Sequence, residues 1–267
     1  APPFTFYGLI TEFNGIDITQ SRDSIKISCP RYIERVLRAH GWDSPSTHKS
    51  SLEATPMPAN CIPNLYKTAG HPEGTSEYAK LAEDAGFSYR TLLGELMYAY
   101  VTCRPDIGYA ITTLSKFSVA PARIHYDMLR GVAKYLRETK HWGIVYKKTM
   151  PDKELPHIPH ESLASQSDLP PFPEPSSPTE LTCYVDAAHA NDLRKRRSTT
   201  GYAFILCGGA VSYRTKTQSI TATSSTEAEF LAAVVAAKHA KYLRAILLEL
   251  GFPQPSPTPI YEDNMSA

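Results

Sequence analysis

The chain has 267 residues, enough for one large domain or two modest ones, with ordinary apolar and charged fractions and a formal net charge of +1. A balance so near zero excludes a global field that draws the chain to nucleic acid or to an anionic membrane, so polyanion contact must come from local patches. Five scattered cysteines without a C-x-x-C pair point to reduced thiols in an intracellular protein and away from a structural zinc.

No apolar run approaches the roughly 20 residues of a membrane span, and the start, APPFTFYGLI, lacks a signal-peptide pattern. A strand-like FTFYGLI begins almost at residue 1, which suggests a piece of something longer. Residues 15–19 and 25–28 alternate at period two around a polar QSRDS turn and predict a hairpin. Pro30 suits a first helical turn; Tyr32, Ile33, Val36 and Leu37 form the apolar stripe, and Gly41 supplies the stop. Residues 44–86 read as loop-rich. Helices are predicted over 89–100, from an Asp106 cap through Leu114, and over about 124–136. This half, 1–146, is α+β with a helical majority. Residues 147–180 are dense in Pro, Ser and acidic residues and bury too little apolar surface to offset their ordering entropy. They predict a linker or disordered insert that divides the chain.

The second half, 181–267, changes rhythm. Strands are predicted over 181–186, 201–206 and 211–215, with a Gly208-Gly209 turn, then a short extended stretch over 219–223. A long helix is predicted over 226–250, stopped by Gly251 and Pro253, and a last strand over 259–263. Three hairpin-linked strands, a crossover helix and a further strand imply an α/β mixed sheet with a parallel addition.

Three acidic residues fall where these elements would bring them together: Asp186 in or at the end of the first strand, Glu229 near the helix start, and Asp263 at the end of the last strand. If the last strand lies parallel beside the first, they make a hard-oxygen site suited to Mg²⁺ or Mn²⁺. Such a cluster serves two-metal phosphodiester hydrolysis. Taken singly, each has a plainer job: a strand-end Asp as a turn residue, a first-turn Glu as a complement to the helix dipole. SSTEAEF, residues 224–230, holds two glutamates. Ser224 as N-cap with Glu227 three residues on fits a capping box, which leaves Glu229 for the metal. Thr226 and Glu229 make a second candidate box.

YVDAAHANDLRKRRSTTGYAFIL, SYRTKTQSITATSSTEAEFLAAVVAAKHAKYLRAILLELG and IYEDNMSA resemble the RNase H domain of copia-type retrotransposon polyproteins. The upstream FNGIDI, IKISCPRYIERVL, ATPMPAN, YRTLLGELMYAYVTCRPDIGYAI and LRGVAKYLRETKHWGIVY resemble the thumb and connection that follow the reverse-transcriptase palm in the same polyproteins. The resemblance covers nearly all of the chain except the Pro-rich stretch. It implies that Asp186, Glu229 and Asp263 are catalytic metal ligands, that the substrate is an RNA/DNA hybrid, and that the rest of the polyprotein, the palm, is a partner. Asn14 departs from the apolar residue usual there. No Tyr-x-Asp-Asp occurs, so DNA polymerisation is not expected of this chain. The resemblance also implies a fourth carboxylate after a fifth strand, beyond Ala267. An incomplete two-metal site and an open sheet edge are therefore expected.

Arg194, Lys195, Arg196 and Arg197 form the only concentrated basic run. It is either a solvated loop or a set of phosphate contacts to the hybrid beside the carboxylates. Tyr202 and Tyr213 read as sheet residues, His189 as solvated or structural, and Lys134, Arg137 and Lys140 as a polar helix face. Two rival readings stay open: a remnant that at most binds nucleic acid, and an interaction scaffold built on the Pro-rich stretch.

Overall fold

The computed structural model describes residues 9–43, 55–148 and 179–263. Most of FTFYGLI and nearly all of the Pro-rich stretch lie outside the described residues. Glu12–Phe13 (β1) and Ile16–Gln20 (β2) pair through Phe13↔Ile16. Asn14 and Gly15 between them have φ of 49° and 77°, the positive values a two-residue type I′ turn requires. Asn14, the departure from the family pattern, is thus a residue that tolerates this turn. The Tyr98 hydroxyl donates to its carbonyl at 2.6 Å.

β2 pairs with Ser24–Ser28 (β3), the expected hairpin. Pro30–Ala39 (α1) follows, with Pro at its start and Ile33, Val36 and Leu37 buried. The loop-rich expectation for 44–86 needs correction. Ile62–Lys67 (α2) and Ser76–Ala85 (α3) are helical, the latter capped by Thr75, whose hydroxyl accepts from the Tyr78 N–H. Both are short and polar, so a 3.6-residue apolar period hardly registers in them. Tyr89–Thr102 (α4), Gly108–Ser115 (α5) and Arg123–Glu138 (α6) complete a helical layer whose core includes Leu92, Leu96, Ile111, Leu114, Leu129 and Leu136. Asp106 does not cap α5. It lies in a 3₁₀ turn, Pro105–Ile107, and its carboxylate accepts from Arg104 at 2.6 Å and from the Tyr135 hydroxyl at 3.0 Å. Arg104 is fully buried, so a carboxylate partner is needed there more than a cap.

Gly143–Lys147 (β4), which the sequence reading did not assign, closes this sheet by pairing with β3, giving the order β1-β2-β3-β4. A Cβ on Gly143 would meet the Ile27 carbonyl at 2.2 Å, so only glycine fits at this crossing. Lys147, placed at the start of the linker, is the last residue of β4.

Thr182–Asp192 (β5), Arg197–Leu206 (β6) and Gly209–Thr217 (β7) form an antiparallel meander, each longer than expected. Ser225–Glu249 (α7) crosses the sheet, and Ile260–Tyr261 (β8) returns parallel to β5, giving the order β7-β6-β5-β8. Residues 219–223 are not a strand. α7 lays Ala228, Ala232, Ala236 and Ala240 on Cys183, Val185 and Phe204. A stripe of alanines at four-residue spacing lets the helix approach closely along its length.

The two sheets meet through β7. The Tyr213 hydroxyl donates to the Tyr100 carbonyl at 2.9 Å, and the Thr215 N–H donates to the Tyr100 hydroxyl at 2.8 Å. The Tyr146 hydroxyl donates to Ala210 at 2.8 Å, and the Lys147 N–H to Cys207 at 2.8 Å. No helix among the described residues is long and apolar enough to cross a membrane. All five cysteines are free.

Candidate metal centre

Asp186 sits in β5 opposite Gly201 of β6. On its other side the parallel register runs Cys183↔Ile260 and Tyr184↔Tyr261, and two more steps along it bring Asp263 level with Asp186. Two ladder pairs hold β8 weakly on their own, so side chains carry the rest. The Tyr184 and Tyr261 rings stand 5.2 Å apart, and the Cys183 N–H donates to Pro259 at 2.9 Å. Arg244 of α7 fixes the preceding turn by donating to the carbonyls of Gln254 and Ser256 and to the Thr258 hydroxyl. Gln254 in turn accepts from the Leu181 N–H at the start of β5, at 2.9 Å. Arg244 therefore positions Asp263 through the chain between α7 and β8.

Glu229 is positioned by the helix start. Ser224 is the N-cap, its hydroxyl accepting from the Glu227 N–H at 3.1 Å. The Glu227 carboxylate turns back and accepts from the N–H and the hydroxyl of Thr223, both at 2.7 Å. It thus reaches one residue beyond the cap, a variant of the expected box. These bonds hold the Glu227 carboxyl below its ordinary pKa. Gln218 adds a clamp that the sequence reading missed. Its side-chain amide donates to the Ala228 carbonyl at 2.8 Å and to the Thr200 hydroxyl at 3.0 Å. Thr200 pairs with Ala187, so the clamp ties the strand region beside Asp186 to the turn carrying Glu229.

Asp186, Glu229 and Asp263 each bring one carboxylate oxygen within 4.8 Å of the others. Asp186 and Asp263 are exposed, whereas Glu229 is 5% exposed and its Oε2 has no hydrogen-bond partner. Burial first, then the charges of Asp186, Glu262 and Asp263, push the Glu229 pKa up to about 7; the Ala187 N–H acts in the opposite sense. Burial and Asp263 also raise Asp186. Like charges this close disfavour one another, and a buried carboxylate oxygen without a donor is costly. A hard divalent cation removes both penalties. The donor set, three carboxylates with two open to water, fits Mg²⁺ or Mn²⁺.

The basic run lies elsewhere. Arg194, Lys195 and Arg196 form the turn between β5 and β6, and Arg197 opens β6. β5 bulges between Ala188 and Asp192, and the paired β6 covers only four residues from Gly201 to Arg197, so at about 3.3 Å per residue the turn begins roughly 13 Å from Asp186. The Arg194 guanidinium stands over the Phe117 and Tyr66 rings, 5.4 and 5.9 Å from their centres, so it packs on the N-terminal half. The buried Asp192 carboxylate accepts from the Arg194 and Lys195 N–H groups at 3.1 Å. His189 contacts the Ala222 carbonyl at 3.4 Å, and Lys140 pairs with Glu34 at 2.7 Å.

Comparison with known proteins adds three relatives. The chain is similar to the retrovirus-related Pol polyprotein of transposon TNT 1-94 from Nicotiana tabacum. That match is 30% identical over 263 residues and covers 95% of this chain and 16% of the polyprotein. The Pol polyprotein of transposon RE1 from Arabidopsis thaliana is 31% identical over 179 residues, 67% of this chain and 10% of that protein. Secreted RxLR effector protein 161 from Plasmopara viticola is 33% identical over 155 residues, 58% of this chain and 90% of that protein. No family model and no solved structure matches.

Proposed function

Because the chain belongs to the Pol polyproteins of copia-type retrotransposons, we propose that its C-terminal half, 181–267, is an RNase H-like module. In the polyprotein it hydrolyses the RNA strand of RNA/DNA hybrids endonucleolytically, with Mg²⁺ or Mn²⁺. On this reading residues 1–146 are the thumb and connection of the reverse transcriptase, 147–180 join the two, and the palm is supplied by the rest of the polyprotein. The meander followed by a helix and a parallel strand supports the RNase H-like assignment.

One observation carries the chemistry: three carboxylates from β5, α7 and the end of β8 converge within 4.8 Å, one of them buried with an unpartnered oxygen. Asp186, Glu229 and Asp263 would hold the cations. The chemistry such cations would supply is an activated water and stabilisation of the leaving oxygen of the scissile phosphodiester. The protein's own part is placement. Ser224, Glu227 and Gln218 fix the helix start, and Arg244 fixes the return to Asp263. The raised pKa values of Glu229 and Asp186 mean that binding the cation displaces protons from this pair, so loading weakens as pH falls.

The test is cleavage of a labelled RNA/DNA hybrid by the polyprotein that contains this chain, with Mg²⁺ or with chelator. Metal-dependent cleavage that Asp186→Asn abolishes is expected; equal cleavage by the variant overturns the mechanism. The second reading is a remnant that at most binds nucleic acid, without cutting it. Hybrid binding without any metal-dependent cleavage selects it.

A further inference from the structure

A groove of about 290 Å³ opens between β6, β7 and the first half of α7. Three cations line it: Arg214 and Lys216 from β7, and Lys238 from α7; no acidic side chain among the described residues does. All three are exposed, and none has a carboxylate partner among the described residues. In a chain of net charge +1, three uncompensated cations in one groove make a local field that the total charge hides. Their geometry is held. Arg214 and Lys216 alternate with Thr215, and Arg214 pairs with Tyr202, which packs in the core under α7, so both cations lie on the α7 side. Ser212, on that same side, contacts His239 of α7 at 2.7 Å. The Tyr202 hydroxyl lies against Arg214. Gln218, 8% exposed, also lines the groove, and its Oε1 is buried without a partner.

The register sets the groove apart from Asp186. Asp186 pairs with Gly201 and Gly201 with Thr215, so Asp186 shares the Thr215 face while Arg214 and Lys216, beside that rung and roughly 10 Å across the sheet, project from the α7 face. Lys238 lies about 14 Å along α7 from Glu229. We propose that the β7–α7 groove binds the phosphodiester backbone of the substrate hybrid, with Arg214, Lys216 and Lys238 as phosphate contacts away from the cutting site. The choice of ligand rests on the hybrid-cleaving reading. The contacts fix the duplex without reading its sequence.

The experiment measures binding of a short fluorescent RNA/DNA hybrid to the full chain in chelator, as a function of salt. Lys216→Gln/Lys238→Gln is expected to weaken binding by roughly tenfold and to lower the salt slope by about two, one for each phosphate left without its lysine. Both side chains are exposed, and an unchanged melting temperature shows that the variant is folded. Lys80→Gln, exposed on α3 of the N-terminal half, serves as a control that also removes positive charge, outside the groove, and leaves binding closer to the parent. Unchanged affinity and slope in the double variant overturn the proposal, as does absence of hybrid binding by the parent chain. Inorganic phosphate distinguishes a free anion from a backbone. Saturation of the groove by phosphate, with no competition against the hybrid, also overturns it. Because binding is read without metal, loss of cleavage with a groove effect intact sinks the catalytic reading alone. Cleavage with no groove effect sinks only the groove.

Discussion

Asp186 in β5 holds a carboxylate oxygen within 4.8 Å of one from Glu229 in α7, and its charge helps, after burial, to raise the Glu229 pKa to about 7. A carboxyl whose pKa is higher in the folded chain binds more protons folded than unfolded. Its effect is therefore to lower stability as pH rises from the ordinary value of 4.5 to about 7. In chelator the melting temperature is expected to fall between about pH 5 and pH 8, and Glu229→Gln to flatten that fall. Mn²⁺ or Mg²⁺ should restore the stability of the parent at the higher pH and not that of the variant. A variant with the parent's pH profile contradicts the role of Glu229.

The two glutamates of SSTEAEF separate by substitution. Glu229→Gln is expected to reduce metal-dependent cleavage by more than the roughly 10- to 100-fold that loss of an outer partner of a metal costs. Glu227→Gln keeps an oxygen acceptor for Thr223 and is expected to cut nearly as well as the parent. Ser224→Ala should cost about 1 kcal/mol of stability in urea unfolding. Cleavage lost equally in both Gln variants would show that the division of roles is wrong.

Arg244 acts at a distance from the carboxylates. Arg244→Ala frees the turn that carries the chain to β8 and is expected to weaken Mn²⁺ affinity, measured by electron paramagnetic resonance, by roughly tenfold. Arg244→Lys should recover only part of this, because one ammonium cannot serve the three acceptors that a planar guanidinium spans. Affinity equal to the parent in both variants removes Arg244 from the site's support.

Arg104 gives a prediction for the other half. Its guanidinium is fully buried and bonded to Asp106, to the Thr139 carbonyl and to the Thr139 hydroxyl. Asp106→Ala leaves the buried Arg104 guanidinium without its carboxylate, and urea unfolding is expected to show a loss of about 3–5 kcal/mol. Cleavage per folded molecule should not change. A loss below about 1 kcal/mol would show that the pair contributes little beyond its own desolvation.

The carboxylates were legible in the sequence because each stands at a marked point of a strongly periodic element: a strand alternating at two, a capped helix, a strand after a Gly-Pro stop. β4 was not. GIVYK has no local partner, and what makes it a strand is β3, met only after the chain has formed α1 to α6. Asp106 failed as a cap because a cap is a local reading, whereas the charge it answers is Arg104 in the core. Residues 219–223 alternate enough to suggest a strand. They are held instead as the approach to α7, with Thr223 taken by Glu227. Gln218 and Arg244 escaped notice for a related reason: most of their partners are backbone carbonyls, which carry no residue identity. A long amide just past a strand and a lone arginine on an alanine-rich helix were the only hints.

The seam along β7 has a consequence for how the gene can be divided. Tyr100, Thr112, Tyr146 and Lys147 satisfy backbone groups between Cys207 and Thr215 that an isolated C-terminal half would present as a bare sheet edge. Expressed apart, the halves on either side of 149–178 should be poorly soluble. Expressed together they should find each other and copurify as a split protein, joined by hydroxyls and carbonyls and not by the peptide that connects them.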